Sequence, residues 1–346
     1  MHRLLIAWSM AACSLLDDGT PDPEPEVEMT APKARTESVT DTFHGTPVDD
    51  PYRWLEDADS AEVAAFTEAQ NTLARAALAT YPVRDALKME LTALLGAERT
   101  THGALAFAGG RIFAMRRQPP KRQSFLVELE DLSIDAPART LVDPDTLDAD
   151  GLVSIDWYVP SPDGTRVAVS LSRAGTESGD LHIYDVATGE LVEAPLPRVN
   201  GGTAGGSLVW DADSQGVFYT RYPREGERSA EDLDFYVQLW HHDLGADPAD
   251  DRYEIGKDFP RIAEIDVAIH HATGRLLVTV QDGDGGEFAH WLRDADGAYR
   301  QLSSFGDGTL QITFSEDGSQ LLAISRTVAP TGRLLRFGVG ETVAEA

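Results

Sequence analysis

Ser161-Pro162-Asp163-Gly164-Thr165-Arg166-Val167-Ala168-Val169-Ser170 decides the reading of this chain, because a tight polar turn there delivers an apolar strand. Pro162 pre-sets a turn dihedral, Asp163 can bond back to the turn backbone, and Gly164 supplies the positive φ that closes it. The arrangement recurs on both sides. Ala108-Gly109-Gly110 precedes Arg111–Met115, and Asp213–Gly216 precedes Val217–Thr220. Ala272–Gly274 precedes Leu276–Val280, and Ser315–Gly318 precedes Gln320–Ile324. These turn glycines recur at intervals of roughly 50 residues, the length of a propeller blade of about four strands. Further hairpin signals fall between them, at Tyr184–Gly189 and Arg293–Gly297. No helical period is visible after about residue 100. The expectation is an all-β domain over residues 99–346 with about five blades.

Upstream, residues 38–98 read as a short N-terminal helical segment. Asp59-x-x-Glu62 is a candidate capping box, and Val63, Phe66, Leu73 and Ala77 recur at helical spacing. Pro82 interrupts the run. Leu87, Leu91, Leu94 and Leu95 mark a second helix that ends at Gly96. The beginning of the chain differs in kind. Met1-His2-Arg3 is a basic start, and Leu4–Ala12 is an apolar run too short to span a bilayer but suited to a signal-peptide core. It leads into Met10-Ala11-Ala12-Cys13, which resembles the lipobox of bacterial lipoproteins. Residues 1–13 are therefore read as a lipoprotein-type signal peptide with Cys13 as the lipidated residue, an ordinary cleaved signal being the alternative. Ser14 rather than Asp after Cys13 favours the outer membrane. Residues 14–37 alternate Pro and acid, which opposes helix formation and self-repels, so they read as a disordered acidic tether. The protein is expected to be exported, periplasmic or outer-membrane-anchored, touching the membrane only through Cys13.

Fifty-eight acidic residues oppose twenty-nine basic ones, for a net charge of −29. That balance repels phosphate backbones and anionic lipid surfaces and excludes nucleic acid as a partner. Cys13 is the sole cysteine, so the chain has no internal disulfide and no cysteine-based zinc site.

Few residues suggest chemistry, and each has a plain structural account. Gly201-Gly202-Thr203-Ala204-Gly205-Gly206-Ser207 frames a serine with glycines, but a nucleophile elbow needs a strand before and a helix after. Here the Pro-rich Pro195-Leu196-Pro197-Arg198 precedes and Leu208-Val209-Trp210 follows, so a flexible inter-strand loop is expected. His241-His242 and His270-His271 are adjacent pairs, and neighbours on a strand point to opposite faces, which makes a poor chelate. Asp211–Gly216 and Asp282–Glu287 superficially suit calcium but read better as Asx-assisted turns. Tyr52, Arg53, Trp54 and Asp57 read as packing, with Arg53 able to pair with Glu56 or Asp57. No cofactor, metal or catalytic residue is assigned.

The string Asp41-Thr-Phe-His44-Gly45-Thr-Pro47-Val-Asp-Asp50-Pro51-Tyr52-Arg53-Trp54-Leu55-Glu56-Asp57, with Gln70-Asn71 after it, resembles the start of the prolyl oligopeptidase family of serine peptidases. Leu141–Leu147, Ser161–Gly164, Gly175–Glu177, Trp210, Tyr219–Pro223 and His242–Gly245 follow in the family's order. The resemblance implies an incomplete seven-bladed-type β-propeller that gates access by short peptides. It also implies a C-terminal α/β-hydrolase domain that cleaves after proline with Ser, Asp and His. An aromatic that approaches substrate just before the position of Trp210 in relatives is replaced here by Gly and Thr. The sequence stops at Ala346 before any hydrolase domain, so the chain is expected to be inactive alone. It reads as a truncated peptidase, as a subunit joining a hydrolase domain in trans, or as a surface-anchored, non-enzymatic peptide- or protein-binding propeller.

Overall fold

The computed structural model describes residues 30–96, 99–133 and 136–345, and the chain divides after Leu95 into two compact units. The smaller one begins with a hairpin, Thr40–Phe43 against Thr46–Asp49, closed by His44 and Gly45 at φ 50° and 83°. Two successive positive-φ residues match the right-handed twist of paired strands. A turn of 3₁₀ helix, Arg53–Glu56, then buries Trp54 edge-on against Phe66, with ring centroids 5.7 Å apart. Arg53 pairs with Asp41 and with Asp50 at 2.7 Å, so the hairpin rather than Asp57 holds it, while Glu56 is a longer third partner. Helix α1 (Ala61–Ala79) is capped by Ser60, which accepts from the Glu62 N–H, not by the expected Asp59. Glu62 pairs with Arg35 instead of closing a capping box. Helix α2 is Arg84–Leu95, and neither helix buries a residue.

Residues 32–37, the end of the segment read as a tether, are docked. Trp54 Nε1 donates to the Arg35 carbonyl at 2.9 Å, and Gln70 Nε2 donates to Pro32 O at 3.0 Å. The Arg35 guanidinium lies 4.7 Å from the Trp54 ring centroid. Specific backbone acceptors and an aromatic face outweigh the extended tendency of the prolines here.

The larger unit is five antiparallel sheets in chain order. Blade one is Thr101–Ala108, Arg111–Arg117, Phe125–Leu129 and Ala138–Val142. Blade two is Val153–Pro160, Arg166–Arg173, Gly179–Asp185 and Leu196–Asn200. Blade three is Leu208–Trp210, Gly216–Arg221, Gln238–Asp243 and Arg252–Ile255. Blade four is Ala263–His270, Arg275–Asp282, Phe288–Arg293 and Tyr299–Ser303. Blade five has three strands, Thr309–Phe314, Gln320–Ser325 and Arg333–Gly338. Each repeated turn of the sequence falls between the first and second strand of its blade. Two local features escape the pattern. One helical turn, Pro144–Leu147, is capped by Asp143 and is too short to show a period. The Pro-rich Leu196–Asn200 is the fourth, outer strand of blade two, where prolines are tolerated. Its register shifts between Leu196 and Asn200, and the Arg198 N–H turns to the Asp180 carboxylate.

The core lies between blades. Phe113, Leu126 and Leu141 of blade one meet Val167, Val169 and Tyr184 of blade two. Leu181, Ile183 and Leu196 meet Leu208, Trp210, Val217 and Tyr219. Phe218 and Leu239 meet Ile265, Leu276 and Val278, and Leu277 and Leu292 meet Ile312 and Leu321. Alternation along each strand therefore feeds two different inter-blade layers, which is why so many strands read as continuous apolar runs. Blade five leaves its far face open, with Ile324 and Leu334 40% and 70% exposed. Blade one does not: Ala114, Phe125 and Val127 of its far face are buried, packed with Ile112 and Ala138.

Candidate functional site

The first strands of neighbouring blades approach one another, blade one against two and three against four, and so form the inner surface. At their C-terminal ends Phe107, Pro160, Trp210, Ile269 and His271 line a depression of 430 Å³. Trp210 is held there by donating Nε1–H to Val159 O at 3.0 Å. Asp156 lies on the first strand of blade two, and Glu264 and Asp266 lie on the first strand of blade four. Asp156 accepts from the hydroxyls of Ser170 and Ser172 at 2.7 and 2.5 Å. Burial pushes its carboxyl above the usual range against those bonds, and Glu177 adds to the rise. Burial likewise raises Glu264, with Asp284 contributing.

The glycine-rich segment connects blades two and three, as the sequence implies, but it is tied down rather than free. Gly201 and Gly205 exchange backbone hydrogen bonds at 3.1 and 2.8 Å. The Tyr222 hydroxyl sits inside the loop, accepting from the Ala204 N–H at 2.9 Å and donating toward Gly205 O at 3.1 Å. A Cβ on Gly201 would lie 2.6 Å from the Tyr222 ring, so that glycine serves close packing on an aromatic face. Ser207 Oγ donates to Asp266 Oδ1 at 3.0 Å and accepts from the Val267 N–H at 3.1 Å. Its N–H goes to Thr220 Oγ1. A serine between a carboxylate and a backbone amide, with no imidazole bonded to it, is a rivet joining blades three and four and not an activated nucleophile.

The histidine pairs do point to opposite faces. His241 faces blade four beside Phe218, with Nε2 2.8 Å from Asp211 Oδ2. Asp243 approaches the other ring nitrogen at 3.7 Å. Asp211, His241 and Asp243 nevertheless bring one possible ligand atom each to within 4.8 Å of one another, a cluster that the adjacent-histidine pattern did not announce. Asp213 accepts the Gln215 N–H at 3.0 Å, an Asx turn. In the Asp282–Glu287 segment the Asp282 N–H donates to Glu287 O, a turn closed by backbone. His270 donates Nε2–H to Glu316 O at 3.0 Å and so joins blade four to the turn of blade five.

His242 carries a network that sequence reasoning missed. It faces blade two, with Nδ1 2.5 Å from Asp251 Oδ1 and Nε2 3.2 Å from Glu193 Oε1. Tyr219 donates to the other Asp251 oxygen at 2.5 Å, and Glu193 also accepts the Gly245 N–H. Burial alone would lower the imidazole pKa, but the two carboxylates outweigh it and raise it to about 9. The ring is therefore a buried cation joining blades two and three. Glu193, Tyr219, His242 and Asp251 lie on four separate segments, so no local spacing announces them. Cys13 lies outside the described residues, and among those described no helix is long and apolar enough to cross a membrane.

Comparison with known proteins agrees with this architecture. The family described as prolyl oligopeptidase, N-terminal β-propeller domain, matches residues 32–345. A prolyl endopeptidase of Elizabethkingia meningoseptica is 30% identical over 91% of this chain. One from Dictyostelium discoideum is 24% identical over 61% of it. A solved structure from a study of two prolyl endopeptidases superposes with a TM-score of 0.77 at 25% identity, over 92% of this chain and 46% of its own. Prolyl oligopeptidase B of Galerina marginata, bound to a 35mer substrate, shares the fold at a TM-score of 0.75 and 19% identity, over 90% of this chain and 47% of its own. The chain spans 43% of the length of the Elizabethkingia relative and 33% of the Dictyostelium one. With its order of blades and a match that runs from Pro32 almost to the last residue, the chain belongs to the prolyl oligopeptidase family and constitutes its N-terminal propeller portion.

Proposed function

We propose that this chain is the substrate-screening part of a serine peptidase that cleaves short peptides after proline. The propeller limits which substrates reach a hydrolase domain outside these residues, and that domain supplies the serine, its base and the oxyanion donors. What carries the reading is the family match over residues 32–345 together with the serial packing of blades around an inner surface. The chain alone is inactive in this reading, because its one glycine-framed serine is engaged in inter-blade bonds. A chimera tests it: residues 32–345 replace the matching portion of the Elizabethkingia prolyl endopeptidase. The chimera should hydrolyse a chromogenic Gly-Pro substrate and leave a folded protein substrate intact. A stably folded chimera that cleaves both equally would exclude a screening role.

Export and anchoring form the second part of the proposal. The apolar run Leu4–Ala12, the small residues Ala11-Ala12 before Cys13 and the acidic Pro-rich stretch after it support a lipid-modified Cys13 and residence in the periplasm or on the outer membrane. Several acyl chains on one cysteine would hold the protein firmly, whereas a single chain binds reversibly.

A further inference from the structure

Blade three buries arginine N–H groups that its carboxylates do not occupy. Arg221 ends the strand Gly216–Arg221, and its side chain is only 3% exposed. Glu227 accepts two of its N–H groups at 2.8 and 3.2 Å, and the guanidinium stacks 4.1 Å from the Trp240 ring centroid. The Arg221 Nε–H is buried and has no hydrogen-bond partner among the described residues. Arg224 adds two such groups, Nε and Nη2, and Trp240 adds its indole Nε1. Glu227 reaches Arg224 only at its backbone N–H, 2.7 Å away. Glu227 thus bonds the Arg221 guanidinium and the Arg224 backbone together, which holds the two arginines side by side at the end of this strand.

Four unpartnered buried donors in one layer are unusual, since each costs about 1–3 kcal/mol and more when charged. Nearby acceptors are already committed. Asp251 is shared by Tyr219 and His242, and Glu193 is taken by His242 and the Gly245 N–H. Guanidinium and indole N–H are donors only, so nothing within the set can satisfy another member. A planar fork of N–H groups matches the paired oxygens of a carboxylate or phosphate. We propose that Arg221, Arg224 and Trp240 form a binding site for one small oxyanion, a carboxylate or inorganic phosphate, on the side of blade three that faces blade two.

Calorimetric titration of the full chain tests this, with succinate and inorganic phosphate as separate probes in sodium chloride at matched ionic strength. One saturable site per chain is expected for at least one probe. Arg224→Gln should weaken it by roughly tenfold or more, a loss of about 1.4 kcal/mol. Trp240→Phe keeps the ring beneath Arg221 and removes only the indole N–H, so it should weaken binding by a smaller factor. Tighter binding of succinate identifies a carboxylate-bearing ligand, and tighter binding of phosphate identifies the free inorganic ion. Absence of saturable binding by both probes, or unchanged affinity in both variants, would overturn the proposal and leave those donors to water. Should Arg224→Gln fail to fold, Trp240→Phe decides alone.

Discussion

Gly109 of blade one lies backbone to backbone against Asp163 of blade two. Its N–H donates to Pro162 O at 3.0 Å, and a Cβ on it would sit 1.9 Å from the Asp163 carbonyl oxygen. The contact is mutual, since a Cβ on Gly164 would come within 2.6 Å of Ala108 O. The next joint repeats the idea with side chains: Arg166 Nη1 donates to Ser214 O at 2.6 Å. At the last one, the His270 ring lies against Gly318. The repeated turns thus close hairpins and also join successive blades.

Gly109→Ala should therefore destabilise the larger unit far more than Gly110→Ala. Both glycines have positive φ, at 55° and 74°, which costs an L side chain roughly 1–2 kcal/mol. Only at Gly109 does the added methyl strike backbone, while Gly110 has open space around it. We expect about 1 kcal/mol for Gly110→Ala and about 3 kcal/mol or more for Gly109→Ala in urea melts. Equal losses would show that the inter-blade contact is yielding.

Stability should fall on the alkaline side because of His242. Its folded pKa of about 9 lies above the ordinary 6.5. The protonated ring therefore contributes fully below pH 6.5, and the contribution disappears as pH rises through 9. The size is about 3 kcal/mol at the low-pH limit, from the pKa difference. His242→Gln should lose that much at pH 6 and flatten the stability curve between pH 6.5 and 9. A wild-type curve that is already flat there would mean the ring is neutral. His290 acts in the opposite sense: burial depresses it to about 4, so its contribution is present above pH 6.5 and is lost as pH falls toward 4.

Ser207→Ala should cost about 1–2 kcal/mol through the lost bonds to Asp266 and Val267. It should change no activity, because the full chain itself should neither hydrolyse a Gly-Pro chromogenic substrate nor label with a fluorophosphonate probe. Labelling that disappears in Ser207→Ala would make this serine a nucleophile after all.

The blade count was legible because each blade repeats one local event, a turn with a required positive φ followed by an apolar strand. Gly110, Gly164, Gly274 and Gly318 all take positive φ in the structure, and Gly216 instead opens its strand where a Cβ would crowd Asp211 and His242. What could not be read were pairings set by packing between blades. Arg53 chose Asp41 and Asp50 because the hairpin folds them beneath it. His242 found Glu193 and Asp251 only because blade two lies against blade three. Arg224 kept unpartnered donors although the chain is strongly acidic, which composition gave no reason to expect.

On the proposed lipid anchor, Cys13→Ala should move the protein from the membrane pellet to the soluble fraction. Cys13 is the sole cysteine and follows Ala11-Ala12, so the substitution removes the one candidate acceptor without touching any other thiol. Wild-type protein already soluble after export would remove the basis for lipidation and leave an ordinary cleaved signal.

The open face of blade five should drive self-association of the isolated chain. Leu334 and Ile324 share that face, exposed by 70% and 40%, with Leu322 beside them. The strand Arg333–Gly338 is also the edge of its sheet, and only Arg333 and Arg336 add charge there. In the smaller unit, α2 exposes Leu87, Met89, Leu91, Leu94 and Leu95. Apolar area of this kind on a soluble chain marks an interaction surface or an aggregation liability. A charge of −29 opposes association, but the repulsion is screened beyond about 8 Å at physiological ionic strength. Association measured by light scattering should therefore increase with salt, accompanied by strong binding of a hydrophobic dye. Ile324→Lys combined with Leu334→Lys should reduce both if blade five is responsible, and leave them unchanged if α2 is. A monomer at all salt concentrations, with no dye bound, would mean that these faces are covered within the chain itself.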